Sequence, residues 1–154
     1  MPRLMKRLRA VSLALVLAAA AHAPARAQTA ADSAAIRATA LDYVEGWYAA
    51  DAARMERALS PDLAKRIVYS DSTGRSRLSQ MGAMGLVQGT RAGGGKDTPA
   101  DKQEKEIRIL DIFGNAASVR STMSGWVDYM HLAKFNRRWV IVNVLWELKP
   151  NAGH

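Results

Sequence analysis

Residues Gly125 to Lys149, G-W-V-D-Y-M-H-L-A-K-F-N-R-R-W-V-I-V-N-V-L-W-E-L-K, constrain the fold more than any other stretch. They read as one long β-hairpin. Val127 to Phe135 and Arg138 to Leu148 are rich in β-branched and aromatic residues. Asn136-Arg137 suits a two-residue turn, because Asn tolerates positive φ, although Arg fits the second central position less well than Gly. That turn sets Phe135 opposite Arg138. In a regular ladder His131 then faces Val142, Tyr129 faces Val144 and Val127 faces Trp146. Trp126, Asp128, Met130, Leu132 and Lys134 share the other face with Trp139, Ile141, Asn143, Leu145 and Glu147. Both faces are largely apolar, so the sheet needs cover on both sides: helices on one, and further protein such as a second subunit on the other.

Met1 to Ala27 reads as a secretory signal peptide outside the fold. Arg3, Lys6, Arg7 and Arg9 form a basic start, Ala10 to Ala21 a short apolar run, and Ala25-Arg26-Ala27 an A-x-A cleavage site. The apolar run is about 12 residues, short of the roughly 20 that span a bilayer. The expected location is the periplasm or the medium, with no membrane insertion after cleavage. Residues 1–27 contain no Arg-Arg pair, which favours the general secretion route.

This reading changes the charge argument. The full chain carries +8, but five basic residues (Arg3, Lys6, Arg7, Arg9, Arg26) and no acid precede residue 28. The mature chain is therefore +3, a mild balance that gives no case for nucleic acid. Residues 28–154 are expected to form one domain. There is no cysteine, so packing rather than disulfides must hold it.

Asp32 or Ser33 can cap a helix to about Ala50, with Ile36, Ala40, Tyr43, Val44, Trp47 and Tyr48 at helical spacing. Gly46 leaves a gap in side-chain bulk that lets something pack closely. Asp51 caps a second helix, Ala52 to Leu59, ended by Ser60-Pro61. Arg66 to Tyr69 reads as a short strand and Asp71 to Gly74 as a turn. Ser79 is expected to cap a third helix to about Gln88. Gly89 to Lys102, with Gly93-Gly94-Gly95, reads as a mobile loop. Strands follow at Lys105 to Phe113 and Ala116 to Ser124. The class is α+β, helices gathered on one side of an antiparallel meander.

Asp42-Tyr43-Val44-Glu45-Gly46-Trp47-Tyr48, Asp51 to Met55, Ala64-Lys65-Arg66, Trp126 to Lys134 and Trp139 to Glu147 carry a family resemblance. The chain resembles the nuclear transport factor 2-like superfamily, and within it the putative lumazine-binding branch, from Asp32 to Pro150. The resemblance implies a cystatin-like roll: a cone-shaped, curved antiparallel sheet packed on N-terminal helices, with a pocket between. It also implies a homodimer through the outer sheet face. The same shell serves isomerases, cyclases, dehydratases and non-catalytic modules, so fold alone does not settle function.

The candidate ligand-binding residues are Tyr43, Trp47, Arg66, Arg120, Tyr129, His131 and Trp146. Tyr43 and Trp47 lie one helical turn apart. Tyr129, His131 and Trp146 fall on one sheet face in the regular register, and make an aromatic wall if that face is concave. Arg66 and Arg120 would clamp an anion or carbonyl if they point inward. Asp128 and His131 are the weak catalytic candidates. They sit three residues apart, on opposite faces of a regular strand, so they form no dyad unless a bulge lies between them. No metal site is expected, since His131 is the only embedded imidazole. No P-loop, dinucleotide fingerprint or G-x-S-x-G occurs, and no cofactor is expected. The first reading is an exported module binding a small aromatic or polycyclic ligand without a reaction. The alternatives are a cofactor-free isomerase, dehydratase or cyclase, and a structural dimer whose pocket is packed shut by Trp47 and Trp146.

Overall fold

The turn at Asn136-Arg137 forms as expected. Both residues take positive φ, 48° and 67°, the twist that a two-residue hairpin requires. The computed structural model describes residues 25–150. The expected signal peptide lies outside the described residues except for Ala25-Arg26-Ala27, and His154 lies outside them too. The chain divides into two compact units between Ala31 and Asp32, and the second contains the whole β-sheet.

Helix α1 (Ala25–Ala49) ends where Ala50 turns left-handed, at φ 55°. Asp51 then caps α2 (Ala52–Ala58) by accepting from the Arg54 N–H. Gly46 sits at this corner. A Cβ there would lie 3.0 Å from the Met55 nitrogen, so the missing side chain lets α2 close on α1. Asp32 is not a helix cap. It lies inside α1 and accepts from Lys134 Nζ (2.7 Å) and Trp139 Nε1 (3.0 Å), which ties the helix to the hairpin.

Strand β1 (Leu59–Ser70) is far longer than expected, because Ser60-Pro61 does not end it; the pairing with the last strand is only irregular between Leu59 and Ala64. Ser76 to Met81 is strand β2 paired with β1, not the start of a helix. Helix α3 (Ala83–Arg91) starts only after Gly82. The reason is pairing: tertiary hydrogen bonds to β1 outweigh the local capping signal at Ser79. The supposed mobile loop is also built. Its first residues belong to α3 and Ala100–Lys102 form a 3₁₀ turn. The Gly95 N–H donates to the Trp47 carbonyl at 2.9 Å. Only glycines fit there: a Cβ on Gly94 would stand 2.4 Å from that carbonyl oxygen, and one on Gly95 2.7 Å from the Trp47 ring.

Strands β3 (Glu106–Phe113), β4 (Ala116–Thr122), β5 (Trp126–Phe135) and β6 (Arg138–Leu148) follow. The six-stranded sheet has the order β2-β1-β6-β5-β4-β3. It is mixed: β1 runs parallel to β6, and every other pairing is antiparallel. The sheet is curved and unclosed, and the helices cover its inner face. Ile36, Ala40, Tyr43 and Val44 of α1 share the core with Val119, Met130, Leu132, Ile141 and Val144. Each buried Val, Leu, Ile or Met side chain among them contributes about 1.5–3 kcal/mol by leaving water.

The hairpin register departs from a regular ladder at one point. Leu132 pairs with Ile141 as expected, but His131 pairs with Asn143, leaving Val142 as an extra residue in β6. This bulge moves the rest of β6 by one residue, which reverses which face each side chain meets. Tyr129 faces Leu145 rather than Val144, and Val127 faces Glu147 rather than Trp146. Trp146 instead lies opposite Asp128, on the inner face.

Candidate functional site

The bulge assembles the site. Without it Trp146 would point away from the helices. With it, Trp146 joins Asp128 and Trp126 on the inner face, above Lys65 of the neighbouring strand. Between this part of the sheet and the helices lies a cavity of about 310 Å³. Tyr43 and Trp47 of α1 form one wall, and Leu86 and Gly89 of α3 another. Lys65, Met123, Trp126 and Trp146 line the sheet side, with Met81 and the partly exposed Leu148 completing the lining. Trp126 packs edge-on against Trp47 (6.0 Å) and against Trp146 (6.2 Å), so three indoles make one continuous wall.

Beneath this apolar lining lies a polar cluster. Asp128 is fully buried. Its Oδ1 accepts from Lys65 Nζ at 2.7 Å and from the Tyr43 hydroxyl at 3.3 Å. Its Oδ2 accepts from Ser121 Oγ at 3.2 Å and Trp126 Nε1 at 3.1 Å. Lys65 Nζ also donates to Tyr43 Oη at 2.6 Å and lies 4.9 Å from the Trp146 ring centroid. Burial pushes the Lys65 ammonium below its ordinary pKa, against the opposing pull of Asp128. Burial, and then the Asp128 charge, pushes the Tyr43 phenol well above its ordinary value. Tyr43 thus remains a neutral donor across the physiological range.

The seven sequence-predicted ligand residues separate into two groups. Tyr43, Trp47 and Trp146 line the cavity. Arg66, Arg120, Tyr129 and His131 lie on the opposite, outer face. There Arg66 pairs with Leu145, Leu145 with Tyr129, and Tyr129 with Arg120. Tyr129 is 49% exposed. His131 is exposed too, with Nδ1 3.3 Å from Asn143 Nδ2. Arg66 donates to Gln80 Oε1 and Asn143 Oδ1. The expected wall of Tyr129, His131 and Trp146 therefore does not exist, and the bulge at Val142 is the reason. Asp128 and His131 do point to opposite faces as expected. Among the described residues no cluster of metal-ligating side chains occurs.

Sequence reasoning missed Lys65, Ser121 and Trp126 as site residues. Lys65 was legible only by extending the strand back from Arg66. The alternation Leu63, Lys65, Ile67 then puts a lone ammonium on an apolar face, where it demands a counter-charge such as Asp128.

The fold recurs in solved structures. A nuclear transport factor 2-like protein of unknown function from Shewanella baltica OS155 superposes with a TM-score of 0.60, at 22% identity, over 79% of this chain and 97% of that one. Another from Silicibacter pomeroyi DSS-3 has a TM-score of 0.61 at 17% identity, over 79% and 98%. A third, with a cystatin-like fold, comes from Novosphingobium aromaticivorans, with a TM-score of 0.61 at 13% identity, over 82% and 88%. No curated protein matches the sequence. The family described as "Putative lumazine-binding" matches residues 31–147, and the chain belongs to that family.

Proposed function

We propose that the protein is an exported module that holds a small planar ligand in the tryptophan-walled cavity. One observation carries this reading: an apolar, aromatic-lined space of about 310 Å³ closed at its base by a single lysine and phenol. Small-molecule sites run from about 300 to 1,000 Å³ and combine apolar walls with a few convergent polar groups. The volume suits a ligand of about two fused rings. Its rings would meet Trp47, Trp126 and Trp146, and a carbonyl oxygen would accept from Lys65. The family description makes lumazine, a planar bicyclic dione, the first probe. Export rests on the basic and apolar start of the chain.

Base catalysis by Asp128 fits less well. Both of its oxygens are saturated by four donors, and none of its surface is exposed. A general base must come within hydrogen-bond reach of the proton it removes. His131 and Tyr129 are on the wrong face of the sheet for the cavity. The space of about 310 Å³ lined by Trp47 and Trp146 argues against a pocket packed shut by them.

The test is tryptophan emission during titration with lumazine. Wild type should quench saturably, and Trp146→Ala should weaken binding by roughly tenfold or more, since an aromatic contact with its buried area is worth about 1.5–3 kcal/mol. Quenching that is linear and equal in both proteins would refute lumazine as ligand. Repeating the titration with other planar bicyclic carbonyls would then decide the wider reading.

We also propose that two copies pair through the outer face. Tyr129 and Leu145 are half exposed there, and the buried Arg120 Nε lacks a hydrogen-bond partner. Sedimentation should give a dimer that Tyr129→Asp converts to monomer. A wild-type monomer at micromolar concentration would rule the pairing out.

A further inference from the structure

Lys65 is more than a hydrogen-bond donor in this cavity. Its surroundings are those of an amine prepared for carbonyl chemistry. The side chain is 9% exposed and lines an otherwise apolar space. A carboxylate oxygen lies 2.7 Å from Nζ, and a phenol oxygen lies 2.6 Å from it. That phenol is also within 3.3 Å of the same carboxylate oxygen, so Lys65, Tyr43 and Asp128 form a closed triangle of proton donors and acceptors. A buried ion pair is a poor device for stability, because desolvation offsets much of the attraction. Desolvated lysines in apolar pockets serve as imine-forming nucleophiles, because the neutral amine is the reactive form.

We propose that Lys65 captures an aromatic aldehyde or ketone as a reversible imine. This deepens the ligand-binding reading and rests on it. In the first step Lys65 gives one proton to Asp128, and the nitrogen lone pair attacks the carbonyl carbon while the C=O π pair moves to oxygen. A second nitrogen proton passes to that oxygen through the Tyr43 hydroxyl, giving a carbinolamine. The proton held by Asp128 then passes through the Tyr43 hydroxyl, which lines the cavity 3.3 Å from that carboxylate, to the carbinolamine hydroxyl; the C–O bond breaks, and water leaves. The nitrogen keeps one proton and forms the C=N bond. An ammonium and a carbonyl thus become an iminium and water, with no net change in charge. Asp128 ends as a carboxylate facing a cation, as it began, so the cluster accommodates product and reactant alike. The bound carbonyl's rings lie against Trp146 and Trp126.

The experiment uses 2-naphthaldehyde with sodium cyanoborohydride, which reduces an imine to a stable secondary amine. Tryptophan quenching, intact mass and a peptide map are read on the same samples. The expected result is saturable quenching, one adduct per chain, and that adduct on Lys65 ahead of the exposed Lys102. Lys65→Arg, which keeps a cation beside Asp128, should lose the adduct at this position. If that variant fails to fold, the wild-type map still identifies the modified lysine directly. Quenching without an adduct would overturn the imine and leave non-covalent binding standing. An adduct spread over surface lysines with Lys65 unmodified would overturn it too. Neither quenching nor adduct would count against both readings.

Discussion

Asp128→Ala should cost about 3–5 kcal/mol of folding stability, the largest loss expected from any single change at the site. The wild-type carboxylate satisfies four donors at once: Lys65, Tyr43, Ser121 and Trp126. Removing it leaves a buried ammonium with only a phenol oxygen and an indole face nearby, and an uncompensated buried charge costs about that much. Native domains have only about 5–15 kcal/mol in total, so the variant should melt early. The companion experiment is the double variant Lys65→Met with Asp128→Leu. It removes both charges together and should recover most of the loss, because an apolar replacement of a buried pair is often neutral. Chemical denaturation of the two proteins checks this. A loss below about 1 kcal/mol in Asp128→Ala would mean that water reaches Lys65, and that the base of the cavity is wet rather than apolar.

Gly94→Ala should destabilise by about 2–5 kcal/mol and weaken ligand binding together. Gly94 has φ +49°, where an L-residue pays about 1–2 kcal/mol. The new Cβ would also stand 2.4 Å from the Trp47 carbonyl oxygen, a backbone atom that cannot rotate away. Overpacking of this kind costs about 1–3 kcal/mol more. Any relief must come from moving Trp47, and Trp47 is one of the three cavity indoles. The melting temperature should fall by roughly 10 °C. The tryptophan titration should show weaker quenching at temperatures where the variant remains folded. Loss of stability with unchanged affinity would separate the glycine turn from the cavity wall.

The hairpin carried most of what could be read from the sequence. Its turn, its strands and the burial of one face by helices all follow from Asn136-Arg137 and from the alternation on either side. The helix corner at Asp51 was legible for the same kind of reason, a capping side chain followed by periodic residues. The bulge was not legible. Val140 to Trp146 is almost unbroken apolar sequence, so no polar residue marks which position is the extra one. One unseen residue moved Trp146 to the inner face and separated it from Tyr129 and His131. The glycine triplet misled differently. Glycine signals mobility and close packing alike, and the choice depends on a distant partner, here Trp47. Lys65 was hidden because its strand partner β6 is parallel and far along the chain, beyond the reach of local pattern.

The proposed ligand occupies the inner cavity, not the outer sheet face. The most direct test is a ¹H–¹⁵N correlation spectrum during titration with lumazine or 2-naphthaldehyde. The indole N–H resonances of Trp47, Trp126 and Trp146 should shift together and saturate. The indole of Trp139, tied to Asp32, should remain still, as should the amides of Tyr129 and His131. Shifts at Tyr129, His131 and Arg120 with the three cavity indoles unmoved would place the ligand on the outer face and refute binding in the cavity.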